Sequence, residues 1–576
     1  MRSCKKSGCY DARCLIAMTI GIGEAPARTR QTGGRRVRYA RPGVPALVWI
    51  PAAALTAVSL VPLLYLLVRA LGGGEDTLAA LWRGRTLVLI QNTLLLALAV
   101  TASAAIISLP LAWLTARTDL PARRLWSVLA ALPIAVPSYV GAFTAIAAFG
   151  PRGALQSLLQ PLFGIERLPE IYGFAGAWLV LTLYTYPYIY LPLRGVIGSL
   201  DPALEEAARS LGHGPWSAFL RVTLPQLRPA MTSGALLTAL YVLSDFGAVS
   251  LLNFDAFTRV IYNQYRLAFD RSGAAGLALI LAGLTIIIVT VERVSRGPQR
   301  YHRSSAGATR PLRRVRLGRW TPIGLAYCGG LALLTLGTPL AVIGYWLVQA
   351  LQTGNPLALT WRAAWHSASV SLLAAALAVV AAFPVAVLLV RYTGWLSRTV
   401  EVPLWIGYAL PGIVTALALV SFGARYLTPL YQTLAMLLLA YLIRFLPEAV
   451  GSLRASLLQV SPHLEEAGRS LGHPPLRVWL RVTAPLLWPG IASGGTLVFL
   501  TTIKELPVTL LLSPIGYDTL ATEVWNATRE LFWSHAALPA LSLFLVAAIP
   551  MAILTWRQQP AEHGSSTVMS DKEQTG

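Results

Sequence analysis

Charge is what this chain has least of. Only 12% of its 576 residues are charged, against 55% that are hydrophobic, whereas a soluble protein carries about 25% charged residues. So little charge excludes a soluble globular surface. Lysine is nearly absent: Lys5, Lys6, Lys504 and Lys572 are the full set, and no GxxxxGK(S/T) run occurs. That excludes a P-loop nucleotide site in this polypeptide. Four cysteines, Cys4, Cys9, Cys14 and Cys328, exclude a disulfide framework, and the spacing of the first three does not match a zinc pattern. No HExxH, His/Cys cluster or catalytic triad stands out, so nothing points to an enzyme. The alternating strands of an outer-membrane barrel are missing as well.

What the chain has instead is long apolar runs, near the ~20 residues a helix needs to cross a bilayer. In lipid every backbone polar group must be satisfied internally, so the spans are helices. The expected fold is an all-α polytopic membrane protein with twelve spans, near 45–68, 87–115, 126–149, 172–193, 230–252, 274–291, 321–349, 367–390, 400–423, 428–450, 488–512 and 536–556. With the N-terminus inside, 34 of the 47 Lys and Arg fall in cytoplasmic segments, 11 outside and two within spans. That is the positive-inside pattern, and it sets both termini on the cytoplasmic side of the membrane. The same rule reads the net charge of +22, including nine Arg between Arg293 and Arg319, as a topology anchor near anionic lipid and not as a nucleic-acid surface. Residues 1–44 form a basic tail, expected to be disordered, and 558–576 a polar one.

The chain also repeats itself. Residues 205–230 read EEAARSLGHGPWSAFLRVTLPQLRPA and residues 465–490 read EEAGRSLGHPPLRVWLRVTAPLLWPG, identical at 16 of 26 positions with an offset of 260. The offset also pairs Arg194 with Arg454 and Asp245 with Glu505; upstream, an offset of 274 pairs Pro110 with Pro384 and Pro137 with Pro411. Two domains follow, 45–293 and 320–557, joined by a basic linker at 294–319. Each holds six spans, an even number, so the repeats are parallel and related by a pseudo-two-fold axis along the membrane normal. Such an axis favours a shared pathway between the halves.

The repeated segments, about 201–229 and 461–489, lie between spans four and five and between ten and eleven. Asp201-Pro202 and Ser461-Pro462 look like N-caps followed by proline in the first turn. Glu205, Glu206, Glu465 and Glu466 then fall early in a short helix, where the macrodipole favours acids. Gly212 and Gly472 suit a left-handed cap, and Pro215 or Pro475 starts a second helix expected to end before Pro225 or Pro485. An amphipathic interfacial pair fits that geometry equally well. The segments resemble the EAA loop of ABC importer permeases: Glu206-Ala207-Ala208, Gly212, Val222, Leu224 and Pro225 match it closely, and Glu466-Ala467-Gly468, Gly472, Val482, Ala484 and Pro485 depart only by small residues at Gly468 and Ala484. The resemblance implies coupling helices that dock on a dimer of a separate cytosolic ATPase, which holds ATP and Mg. This chain would carry no cofactor, and a periplasmic binding protein would deliver the cargo. His213 and His473 belong to these loops and read as surface or interface residues.

Twelve spans fused in this way, with Ser244-Asp245-Phe246-Gly247-Ala248-Val249, Phe257-Thr258-Arg259-Val260-Ile261-Tyr262 and Lys504 through Leu512, resemble the ferric iron importer permeases over about 45–557. Thiamine and phosphonate permeases share this architecture and remain alternatives. An ion-coupled secondary transporter with parallel repeats would need no EAA-like loops. Asp245, Lys504 and Glu505 are candidate pathway residues, because ionisable groups at membrane depth are costly and face a cavity or a partner. The two carboxylates suit a hard cation such as iron(III), but no metal site is assigned. Alternatively, Lys504 neutralises one acid in a packing ion pair. Arg444, in span ten, shows no role in the sequence.

Overall fold

The computed structural model describes residues 44–72, 84–151, 153–200, 202–268, 270–295, 315–352, 354, 357–392 and 394–557. The basic tail with its three cysteines, most of the 294–319 linker, the 558–576 tail and the Asp201 cap lie outside those residues.

Among the described residues the chain is helical, and its one β feature is an isolated parallel bridge between Thr118 and Val315. All twelve apolar segments fold as helix, but only seven are unbroken and long enough to span: Ala46–Leu71, Gly84–Arg117, Arg271–Glu292, Gly318–Gln352, Thr360–Arg391, Leu434–Gln459 and Trp533–Ile553. Counting each bent pair as one span brings the number to ten. Among the described residues, then, unbroken helices do not reach the expected count of twelve.

The difference has identifiable causes. Span three stops at Val136-Pro137 between a 3-10 turn and Ser138–Phe149. Span nine turns by 103° between Ala409 and Gly412, across Leu410-Pro411. Span four is divided into Phe174–Thr185 and Pro187–Ser199. Span five ends at Ser244 and restarts at Gly247; span eleven ends at Ile503 and restarts at Pro507. Proline removes a donor and crowds the preceding turn, and one stands at four of these breaks, Pro137, Pro187, Pro411 and Pro507; span five breaks without one, at Asp245-Phe246.

The second helix of each repeated loop also differs from expectation. It does not end before Pro225. Pro215–Ala218 passes into a single π-turn, Phe219–Thr223, and continues as Leu224–Ser244. The Leu224 amide bonds Phe219 O across the wider turn, so Pro225 enters the helix where its missing N–H costs little. The Gln226 side chain also donates to Val222 O at 2.9 Å. The other copy repeats the π-turn at Trp479–Thr483 before Ala484-Pro485, then bends by 58° at Leu487. A third π-turn, Leu333–Gly337, stands before Thr338-Pro339.

Within each half, neighbouring spans pack through small residues. A Cβ on Gly234 would lie 2.6 Å from Ile189 Cα, and one on the repeat-equivalent Gly494 would lie 3.3 Å from Ala449 Cα. Span five thus crosses four, and eleven crosses ten, at backbone contact, the usual device where lipid removes the hydrophobic drive for helix association. Tyr186, Tyr190, Phe143, Phe246 and Phe257 fill the interior with under 2% exposure.

Candidate functional site

The breaks converge. Pro137, Asp245, Leu410 and Glu505, one from each of spans three, five, nine and eleven, line a single cavity of about 420 Å3. Irregular backbone at membrane depth is tolerated where it lines a cavity or is buried in protein, so the breaks and the cavity explain each other.

All three residues singled out as pathway candidates line this cavity. Asp245 is 7% exposed and sits in extended backbone just after span five. Its Oδ1 accepts from the Ala248 and Val249 amides at 3.0 and 3.3 Å, capping the restarted helix. One carboxylate oxygen is therefore committed to the backbone. Lys504 does not pair with an acid among the described contacts; its Nζ donates to Ile134 O at 3.0 Å, joining half two to the 3-10 turn of half one. The packing pair is made by another cation: Arg444 Nε lies 3.5 Å from Glu505 Oε2, with side-chain exposures of 15% and 10%. Arg444 Nη1 also donates to Leu410 O at 3.0 Å. Glu505 Oε1 has no hydrogen-bond partner, and neither does the Tyr139 hydroxyl on the same cavity. Gly412 is required beside this pair, since a Cβ there would fall 2.6 Å from Glu505 Oε1 and 3.1 Å from Arg444 Cζ.

Two site residues were not identified from sequence. Arg444 was seen without a role, and Glu448 was missed. Glu448 accepts from Thr501 Oγ1 at 3.0 Å and from the Tyr408 hydroxyl at 3.4 Å, and it lines the cavity. The available signal was spacing: Arg444 and Glu448 stand four apart on one membrane helix and so share a face. Repeat equivalence shows a further asymmetry. At the offset of 260, Arg444, Glu448 and Lys504 correspond to Tyr184, Tyr188 and Ser244. Half two carries charges where half one carries hydroxyls, and of these cavity positions only that of Asp245 and Glu505 is acidic in both halves.

The repeated loops form the second candidate site. Pro202–Ser210 and Pro462–Ser470 are short helices, and Ser461 caps the second through His463 N. Gly212 and Gly472 have φ of +89° and +81°, a conformation that favours glycine. The acids separate. Glu205 and Glu465 turn inward to Arg117 and Arg391, at 2.6 and 3.1 Å. Glu206 and Glu466 face out, the latter with His463 Nδ1 at 3.1 Å. Ala207 and Ala467 lie within these helices; Pro225 and Pro485 directly follow the residue closing each π-turn.

Comparison with known proteins places this geometry. The family model for the binding-protein-dependent transport system inner membrane component matches the chain twice, at residues 108–295 and 374–559. The chain is 34% identical over 498 residues to the Fe(3+)-transport system permease protein FbpB 2 of Haemophilus influenzae, spanning 86% of this chain and 94% of that protein. It is 24% identical over 449 residues to the ferric transport system permease protein FbpB of Actinobacillus pleuropneumoniae, spanning 73% of this chain and 64% of that one. The molybdenum transport system permease protein ModB of Escherichia coli is 31% identical over 219 residues, which are 36% of this chain but 94% of ModB. One such relative fits within one repeat.

Proposed function

We propose a function from a fixed premise: this chain belongs to the binding-protein-dependent transport system inner membrane components. It is the fused membrane-spanning subunit of an ABC importer, and its cargo is iron(III). Both termini lie in the cytoplasm, the two EAA-like loops dock on a cytosolic ATPase dimer holding ATP and Mg, and a periplasmic binding protein delivers the ion.

The observation that carries the pathway reading is the cavity where four broken helices meet, with Asp245 from one half and Lys504 and Glu505 from the other. Carboxylate and phenol oxygens suit a hard trivalent cation. Their position at interrupted helices between parallel repeats is where rocking of one half against the other would expose a site alternately to each side. Likeness to a ferric permease over nearly its whole length supports iron as the cargo. The exposed Glu206 and Glu466 would meet the ATPase, and Gly212 and Gly472 would fix the angle of each docking helix.

The test is uptake of radioactive iron(III) into proteoliposomes holding the permease, its ATPase and its binding protein. Asp245→Asn with Glu505→Gln keeps the shape and the helix cap but removes both charges. Uptake should fall about tenfold or more, the kinetic worth of one charge-assisted contact, with ATPase binding retained. Undiminished uptake would remove these carboxylates from the pathway. Thiamine, phosphonate or molybdate uptake in place of iron would reassign the cargo.

A further inference from the structure

A loop that docks on an ATPase has one obvious route to the cavity, the helix it runs into. That route is interrupted at both cavity acids: span five stops at Ser244 and span eleven at Ile503. A second route exists in each half, through a helix that does not stop.

Arg117 is the last residue of Gly84–Arg117, and Arg391 the last of Leu357–Arg391. Arg117 Nη2 lies 2.6 Å from Glu205 Oε2, with side-chain exposures of 11% and 28%. Arg391 Nη2 lies 3.1 Å from Glu465 Oε1 and also donates to Val460 O at 3.2 Å. The arginines follow the offset of 274 and the glutamates that of 260, so this is one joint made twice. Twenty-five residues back along each helix, at its other end, is a second duplicated joint. Asn92 Nδ2 donates to Asp255 O at 3.2 Å, and Thr93 Oγ1 accepts from Phe257 N at 3.3 Å. In the other half His366 Nδ1 meets Asp518 O at 3.0 Å, and Ser367 Oγ accepts from Leu520 N at 2.8 Å. The residues held there lie beyond the breaks, where the chain leaves Gly247–Leu251 and Pro507–Leu512 and enters the short helices Phe257–Arg266 and Leu520–Arg529. Twenty-five helical residues rise about 38 Å, more than the ~30 Å hydrocarbon core of a bilayer. Pro110 and Pro384 stay within these helices and do not break them.

We propose that spans two and eight are transmission rods that bypass the broken helices, carrying displacement of the EAA-like loops to the segments just beyond the breaks, with Arg117 and Arg391 as the positioning residues at the inner joints. The proposal rests on the reading that the loops dock on an ATPase. Ion pairs this sheltered from water are little screened by salt, so they hold the loop helix to the rod through a stroke. Their duplication gives both halves the same linkage.

The experiment uses the full complex of permease, ATPase and binding protein and reads two rates: basal ATP hydrolysis, and its stimulation by iron-loaded binding protein. Arg117→Glu with Arg391→Glu should leave the ATPase bound and hydrolysing at its basal rate, since neither arginine faces the docking surface. Stimulation should fall about tenfold, a mid-range coupling loss. Adding Glu205→Arg and Glu465→Arg restores opposite charges and should recover most of the stimulation, a rescue that damage to the fold would not give. Severing the outer joints with Asn92→Ala and Thr93→Val in one half and His366→Ala and Ser367→Ala in the other should give the same loss. If the reversed chain accumulates poorly, Arg117→Met with Arg391→Met keeps the stems and is read in the same way. Unchanged stimulation in the reversed variants, or no recovery in the swapped ones, overturns the proposal. Failure of the docking reading shows separately, as absence of any ATPase from the purified wild-type complex.

Discussion

Replacing Arg444 by leucine separates packing from passage. The guanidinium stands 3.5 Å from the Glu505 carboxylate, both nearly buried. At an effective dielectric of 20 that separation corresponds to about 5 kcal/mol of attraction. Desolvation offsets much of this, so the pair as a whole contributes little net stability. Removing one member is another matter. Glu505 already has one oxygen without a hydrogen-bond partner, and Arg444→Leu takes away its cation. The cost should be about 3–5 kcal/mol. Arg444→Leu with Glu505→Leu leaves no orphaned charge, and its stability should return to within about 1.5 kcal/mol of wild type. Thermal unfolding in detergent, followed by size-exclusion fluorescence, measures both, and iron uptake is read alongside. The double variant should be stable and slow. A single variant as stable as wild type would show that Glu505 needs no counter-charge. A double variant that transports normally would make the pair packing and nothing more.

Two further outcomes follow from geometry outside the spans. Gly212 and Gly472 sit at φ +89° and +81°, where an L-residue costs about 1–2 kcal/mol and proline cannot go; Gly212→Pro with Gly472→Pro should insert normally yet lose uptake, and retained uptake would remove the hinge. Burial, with Asp518 adding to it, pushes the Glu523 carboxyl from its ordinary 4.5 up to about 7. The unfolded chain then releases this proton first, so this group's contribution to stability is full below about pH 4.5 and is lost as pH rises through about 7. Glu523→Gln should flatten that part of the melting-temperature profile, and an unchanged slope would assign it to another group.

The outline of this molecule was legible because lipid makes polar residues conspicuous. A duplicated polar loop inside an apolar chain gave the repeat, and the repeat gave the pairing of Asp245 with Glu505. The breaks were harder. Pro137 and Pro411 were visible as repeat markers, but Pro110, Pro384 and Pro447 remain inside helices. Proline alone does not distinguish a kink from a stop, because neighbouring helices can satisfy the freed carbonyls. The π-turns before Pro225 and Pro485 hid for the same reason: an extra residue absorbs the proline, and the helix continues. Lys504 was expected to neutralise one of the two acids. Its Nζ instead reaches Ile134 O in the other half, and the counter-ion of Glu505 comes from a different helix at Arg444.

The unequal charging of the two repeats has an electrical consequence. Two identical subunits about a two-fold axis must cancel any sideways field along that axis, so an ion between them is steered only up or down. A single polypeptide whose halves have diverged escapes this symmetry. With Arg444, Glu448 and Lys504 on the cavity wall of half two, and Tyr188 and Ser244 on that of half one at the positions matching Glu448 and Lys504, an ion passing between the halves would meet a lateral gradient and be drawn off centre. Gene fusion thereby makes available a lopsided conduit that a homodimer cannot build.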